Sequence, residues 1–477
     1  MMHTWKSFLI TLIVVLAIGA AALAGMYYFD DPGQLSPRVD VDYAYQIPEG
    51  QGPGPGQSVI APGPGQPADD SWGTWPAFRG PEYDLVSREG IELAENWGES
   101  GPPVLWTRTV GEGYGSPAAY GGKLYLLDYD AEKEGDVLRC MSLADGRDIW
   151  THFYPAQTPG NHGVTRSVPA VTDKYVVSIS PKCFVLCVRA DTGEYLWHKS
   201  LLSEYGSELP EWYSAQCPII DDGKVILAPA GEKMMVAVDC ETGETVWETP
   251  NPRRWKMTHA SITPMRFAGK KMYVYPASGG VVGVSAETGE ILWEHPGWIV
   301  PTANIICPVI VGEDKIFLTG GYGAGSRMIQ LVEDDDGSIR AREVYSLSPR
   351  QFSTYQQTPI FYKGFIYGVL TKTAGTNREQ LACMKPDGTI VWTSGPKHRF
   401  GWGPWVIANE KIFTMDDHGL LTMAAANPGG FQILDQVNPF GPDGAHEAWG
   451  PLTIIGGRMI CRDLTTMVCI DLRNSSQ

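Results

Sequence analysis

The sequence predicts an all-β protein, an eight-bladed β-propeller, and three observations lead there. Its 55 Gly and 36 Pro make up about a fifth of the 477 residues, beside 16 Trp. Helix interiors do not carry such a load, because Gly loosens the backbone and Pro removes an amide donor. A turn of a short polar residue and Gly, with Trp four residues after the Gly, recurs down the chain. A small residue or Cys followed by Pro recurs eight times, at spacings of 44 to 52 residues. A repeat of this length with no 3.6-residue apolar period inside it marks stacked sheets rather than paired helices.

Charge narrows the function. The 37 Lys+Arg against 54 Asp+Glu leave a net charge of −17, which excludes a nucleic-acid ligand, since that affinity comes from clustered Lys and Arg. With 43% hydrophobic and only 19% charged residues, the chain is not disordered as a whole.

Residues 1–30 stand apart from the fold. Lys6 precedes an apolar run of nineteen residues, Phe8 to Met26, then Tyr27, Tyr28 and Phe29, then Asp30 and Asp31. At about 1.5 Å per residue the run nearly crosses the hydrocarbon core. The charge order puts the N-terminus in the cytoplasm and the body on the extracytoplasmic, periplasmic side. The run reads as a single-pass transmembrane helix. The rival reading is a signal peptide cleaved near Ala22-Leu23-Ala24, which would release the protein into the periplasm. Residues 31–74 contain Gly/Pro/Gln stretches from Gly50 to Gln57 and from Ala61 to Pro67. They hold too little apolar surface to offset chain entropy and read as a disordered linker.

The propeller occupies residues 75–477. Its repeat starts are Pro117, Pro169, Pro218, Pro264, Pro308, Pro359, Pro404 and Pro451. After each comes a short strand, a turn such as Gly121-Gly122 or Asp222-Gly223, and an apolar strand such as Lys123–Leu127. Three or four strands per unit make a blade. The last unit runs out near Asp471, while a spare strand around Val104–Thr107 precedes the first. That strand is expected to complete the eighth blade and close the ring, removing open edges. Trp106, Trp150, Trp197, Trp247, Trp293 and Trp392 are expected to dock against the neighbouring blade's turn. Burying each large side chain is worth about 1.5–3 kcal/mol. The fifth repeat has no Trp in that place, and the seventh carries Leu434 at the offset.

The nine cysteines follow the same repeat. Cys140 and Cys187 lie ten residues before a docking Trp, where other units have Ala237, Gly283 and Ala382, and Cys469 falls in the same slot. These are packing thiols. Cys183 and Cys187 sit about 13 Å apart along one strand and cannot bridge. Cys217 and Cys307 precede the unit-starting prolines. No disulfide and no metal site is assigned.

The run from Ala237 through Asp239, Thr242 and Gly243 to Trp247 resembles the tryptophan-docking repeat of the pyrroloquinoline-quinone (PQQ) propeller superfamily. Trp75-Pro-Ala-Phe-Arg79-Gly80-Pro81 resembles the lead-in of membrane-attached PQQ-like propeller proteins. The resemblance spans about residues 75–471. It implies either a quinoprotein alcohol dehydrogenase-like oxidoreductase or a propeller without quinone, like that of the outer-membrane barrel-assembly machinery. Against the dehydrogenases, no two cysteines are adjacent, no Cys-x-x-Cys-His occurs, and no calcium ligands can be placed. PQQ with calcium is therefore not favoured as a cofactor.

The loops leading into the innermost strands should converge on one mouth of the central channel. Just before the prolines they carry Tyr114, His162, Arg166, Trp212, Gln216, His259, Asn304, Gln356, Trp402, His446, Glu447 and Trp449. Beside these stand Glu112, Tyr213, Tyr355, Gln357 and Arg399. Converging polar and aromatic groups in a concavity suit ligand binding. The same residues serve equally to satisfy loop carbonyls and cap the core. The three histidines with Glu447 are the set to examine for a metal or acid–base cluster. Two functions remain: a monomeric, membrane-anchored scaffold holding a protein, peptide or glycan, or a quinone- or metal-dependent oxidoreductase using the funnel.

Overall fold

The computed structural model describes residues 51–54, 56–69 and 72–473. The chain divides into residues 1–36 and 37–477. The first unit, with the expected membrane anchor, lies outside the described residues. Among the described residues no helix is long and apolar enough to cross a membrane.

Residues 104–471 form eight separate sheets around a hub, each with a four-stranded antiparallel meander. The first comprises Ala118–Tyr120, Lys123–Asp130, Gly135–Ser142 and Asp148–Pro155. The next six span 170–200, 219–250, 263–296, 309–347, 360–393 and 405–437. The eighth holds Thr453–Ile455, Arg458–Arg462 and Thr466–Asp471, with Val104–Thr109 antiparallel to the last. Among the described residues helix is confined to short pieces such as Leu201–Tyr205, whose first turn is capped by the Ser200 hydroxyl. The core lies between facing sheets: Met272, Val274 and Val281 of the fourth blade pack with Ile316 and Ile329 of the fifth.

Each sheet breaks register between its third and outermost strands beside the docking position, and the third blade does so a second time between Lys233 and Met235. A bulge adds a residue and re-aims the side chain beside it. Here that side chain is the docking residue. Cys140 faces Trp150, Cys187 faces Trp197, Ala237 faces Trp247 and Cys469 faces Trp106. In the sixth blade Cys383, not Ala382, faces Trp392. The reason is a shorter turn: the Lys385 N–H donates to the Thr389 carbonyl, whereas the Asp239 N–H donates one residue further along, to the Glu244 carbonyl.

Trp106, Trp150, Trp197, Trp247 and Trp392 donate their indole N–H to Leu143, Ala190, Cys240, Ala286 and Asn427 carbonyls of the next blade, at 2.9–3.3 Å. The next turn's glycine lies flat on the first four of these rings. A Cβ at Gly146, Gly193, Gly243 or Gly289 would come within 2.6–2.8 Å of the indole. Trp293 departs from the pattern. Its ring folds over Gly283 of its own sheet and donates to Met272 Sδ at 3.2 Å.

The two blades without Trp use substitutes. In the fifth, Tyr345 faces Met328 at the bulge. In the seventh, Asp435 rather than Leu434 holds the position, facing Met423. Asp435 Oδ2 accepts the backbone N–H of Trp97 at 2.6 Å. Trp97 then lies against Phe413 with centroids 6.4 Å apart, much as Trp150 lies against Tyr125 and Trp392 against Tyr367.

The lead-in has more structure than expected. Val59–Pro62, within the stretch read as disordered linker, pairs with Trp150–Phe153 as a fifth strand on the first blade. Proline is tolerated there because an edge strand needs only one side of its backbone paired. Residues 72–97 cross the hub. Trp75 bridges Ala119, the Val171 N–H bonds the Pro76 carbonyl, and Val86–Ser87 run parallel to Ile407–Ala408. The Ala94 N–H reaches the Leu472 carbonyl.

Candidate functional site

An antiparallel meander puts its first and third turns at one end and its middle turn at the other, beside the loop arriving from the previous blade. The docking glycines, in the third turns, therefore lie on one face of the ring. The lead-in loops and middle turns share the opposite face. Hydrogen bonds tie them together there: Val110 N–H to Thr465 O, Ser214 N–H to Pro181 O, and Ala445 N–H to His418 O.

On that face the structure brings Tyr114, Glu447, Trp449 and Trp402 together. The Tyr114 hydroxyl donates to Glu447 Oε2 at 2.5 Å. The rings then run Tyr114, Trp449, Trp402, Tyr355 and Tyr322, with successive centroids 5.4, 5.1, 5.4 and 5.6 Å apart. Trp402 and Tyr355 are buried, while Tyr114, Trp449 and Tyr322 are half-buried. Asp417 sets the geometry of both tryptophans. Its Oδ1 accepts the Trp402 backbone N–H and the Trp449 indole N–H, each at 2.8 Å. Gln357 Nε2 adds a bond to the Trp449 carbonyl at 2.9 Å.

A second group forms in the loops of blades two to four. The Arg166 guanidinium lies 6.0 Å from the Tyr213 ring and holds the carbonyls of Asn161, His162 and Val164. Trp212 lies 6.4 Å from the His259 ring, whose Nε2 sits 2.5 Å from the Glu211 carbonyl. Burial drives the His259 pKa down to about 4, so the ring is neutral at physiological pH. His162, Trp212, Tyr213, Tyr322 and Glu447 all hold left-handed backbone, φ 52–71°. Bulky residues adopt that region only where surrounding contacts over-determine it.

The other predicted residues go elsewhere. Gln216 is fully buried, its amide exchanging both hydrogen bonds with the Ala228 backbone. Asn304 donates to the Pro276 carbonyl at 3.2 Å. Arg399 lies 3.8 Å from Glu379, and Glu112 Oε1 accepts the Gly163 N–H. Gln356 is half-buried. His446 is exposed and bound through its backbone to Asp463 and Leu464. The histidines and Glu447 therefore do not form a metal centre. Among the described residues no three His, Cys, Asp or Glu side chains gather to hold an ion.

Below the mouth, residues just before the prolines, Ser261 with Val168, Cys217, Cys307 and Thr358, link blade to blade. The Val168 N–H bonds Cys217 Sγ at 3.2 Å, and the Cys217 N–H bonds Ser261 Oγ at 2.9 Å. The Ser261 N–H bonds Cys307 Sγ at 3.3 Å, and the Cys307 N–H bonds Thr358 Oγ1 at 3.2 Å. This ladder gives Cys217 and Cys307 a role as acceptors for hub amides. Arg462 does similar work between blades eight and one, donating to the carbonyls of Gly111, Gly115, Asp463 and Leu464. Its burial lowers its pKa to about 10.

Asp417, Tyr322 and Arg462 are site residues that the sequence reading missed. They lie in or beside middle turns, and the available signal was topological: those turns share a face with the lead-in loops.

A family model described as outer membrane protein assembly factor BamB matches residues 133–383. No curated protein matches the sequence. Among solved structures, BamB from Moraxella catarrhalis is similar with a TM-score of 0.52 and 14% identity, covering 77% of this chain and 99% of that one. The quinohemoprotein alcohol dehydrogenase from Comamonas testosteroni is similar with a TM-score of 0.56 and 13% identity, covering 85% and 81%. A europium-containing methanol dehydrogenase gives 0.55 and 14%, covering 83% and 89%. At these identities the structural likeness is one of fold, and one fold hosts many activities. With more than half its length matched by the family model and its sheets forming the corresponding propeller, the chain belongs to the PQQ-like repeat family of the outer membrane protein assembly factor BamB.

Proposed function

We propose that this chain is a binding or scaffold module. In this reading it is a monomeric propeller, held on the extracytoplasmic, periplasmic side of a membrane by its N-terminal segment. It takes a protein, peptide or glycan partner at the mouth. One observation carries it: half-buried Trp449 and Tyr322 rest on the buried Trp402 and Tyr355, and half-buried Tyr114 packs on Trp449. Aromatic side chains already fixed by packing lose little freedom on binding, which is why they serve as anchors in interfaces.

A calcium–quinone pair is the less favoured occupant of the mouth. Calcium takes six to eight oxygen ligands, and no group of three acidic, His or Cys side chains stands together among the described residues. Asp417 Oδ1 is bound to two tryptophans and Glu447 to Tyr114. We derive no redox step from these residues. We also read Val104–Thr109, paired with the last strand, as the strand that closes the ring.

Photo-crosslinking in native membranes tests the binding reading. A crosslinker at Trp449 should trap a discrete partner, and one at Val344 on the outer strand of the fifth blade should not. Adducts from the rim alone would overturn the assignment of the mouth.

A further inference from the structure

On the face opposite the mouth, the hub holds a cavity of about 770 Å³. One wall is made of the innermost strands of blades four to six, with Pro264, Pro308, Pro359, Val309, Ile310 and Phe361. The other is the crossing segment from Arg79 to Arg88. The strand wall is largely apolar, and the charged lining is mixed: Arg79, Arg88, Arg266 and Lys363 stand with Glu82, Asp84 and Glu313.

Arg79 is the unusual group. It is only 3% exposed. One terminal nitrogen donates to Thr263 Oγ1 at 2.7 Å and to the Ile262 carbonyl at 3.4 Å, both neutral oxygens. Its Nε is buried without a hydrogen-bond partner. The other cations here are arranged differently. Arg88 is paired with Asp84 at 2.6 Å and Lys363 with Glu410, while no carboxylate among the described residues pairs with Arg79 or Arg266. Glu82 and Glu313 also line the cavity and are exposed.

A buried guanidinium without a counter-charge is costly, and a carboxylate matched to its fork offsets that cost. The backbone carries strain at the same place. Arg79, Tyr83 and Leu85 hold φ of 69, 56 and 63°, a conformation that persists in non-glycine residues where surrounding contacts over-determine it and that clusters at ligand sites.

We propose that this cavity binds a small organic anion, a carboxylate bearing a short apolar body. Arg79 and Arg266 take the carboxylate, and the prolines with Val309, Ile310 and Phe361 surround the apolar part. A phosphate monoester presents similar oxygens, so the test includes one.

Titration calorimetry of the full chain in nanodiscs, with empty nanodiscs as blank, uses hexanoate, hexyl phosphate and hexanol. Hexanoate should bind saturably and hexanol should not. Arg266 is exposed, so Arg266→Gln should leave the melting temperature unchanged and weaken hexanoate at least about tenfold, as loss of a charged hydrogen bond does. Arg79→Lys keeps the charge but loses the fork and should weaken hexanoate as well. Absence of hexanoate binding, equal binding of hexanol, or unchanged affinity in both variants would overturn the proposal. Tighter binding of hexyl phosphate than of hexanoate would overturn its carboxylate assignment.

Discussion

Tyr345 donates its hydroxyl to the Pro386 carbonyl at 2.9 Å, so a tyrosine joins the fifth blade to the sixth where other blades use an indole. Its ring also lies beside Gly388 of the next turn, as the tryptophans lie beside theirs. Tyr345→Phe keeps the ring and removes the hydroxyl, and should cost about 0.5–1.5 kcal/mol. Tyr345→Ala removes the wedge as well and should cost about 3–5 kcal/mol. Chemical denaturation checks both, and equal losses would show that the hydrogen bond carries the whole effect.

Trp97 belongs to the lead-in, yet it packs against Phe413 at the interface that lacks a docking tryptophan of its own. Trp97→Ala should therefore destabilise the protein by about 3 kcal/mol or more, like truncation of a core aromatic. A loss under about 0.5 kcal/mol, the usual surface value, would mean the seventh blade needs no wedge.

Cys217 Sγ accepts the buried Val168 N–H. Cys217→Ala leaves that amide unsatisfied and should cost about 1–3 kcal/mol. Cys217→Ser restores an acceptor and should recover part of the loss. If Ser proves no better than Ala in thermal melts, the cysteine is there for its volume alone.

Asp136 is wholly buried between the first two blades, and burial lifts its pKa to about 7, with Tyr154, Lys182 and Ser180 limiting the rise. Lys182 is pushed down to about 8 by the same burial. A carboxyl whose folded pKa exceeds its unfolded value binds more protons in the folded state between the two values. Stability from this group is present below the ordinary aspartate range and is lost as pH rises towards 7. Asp136→Asn should therefore raise the melting temperature relative to the parent more at pH 8 than at pH 4. A constant difference across that range would rule out titration of Asp136.

A chain beginning at Gly113 loses both the strand beside Thr466–Asp471 and the segment across the hub. It should be unstable or oligomeric because the last sheet is left with an open edge. A chain beginning at Gly98 keeps Val104–Thr109 and should remain a folded monomer with reduced stability. Sedimentation and melting of the two separate ring closure from hub filling; a stable monomer starting at Gly113 would refute the closure.

Much of the wheel could be read along the chain. The glycine turns, the following tryptophans and the prolines are local signals, and in seven of the eight sheets the four meander strands are also neighbours in sequence. The reading failed where an interface borrowed a residue from elsewhere. Nothing near Leu434 announces Trp97, some 340 residues upstream, and Tyr345 does not fit the tryptophan spacing because its preceding turn is irregular. The candidate mouth was legible only as a collection of loops. That Tyr114, Trp449, Trp402 and Tyr355 would touch, while Gln216 would turn inward to Ala228, depends on side-chain packing among several blades.

By itself, then, the order of residues determined the sheet count, the turn chemistry and most of the wedge positions, because hairpins form between segments close in the chain. Only the tertiary structure decided what stands at the hub: the run of rings held by Asp417 on one face and the buried Arg79 on the other. Those groups meet because loops and a crossing segment far apart in sequence converge once the sheets are arranged about one axis. No spacing along the chain encodes that meeting.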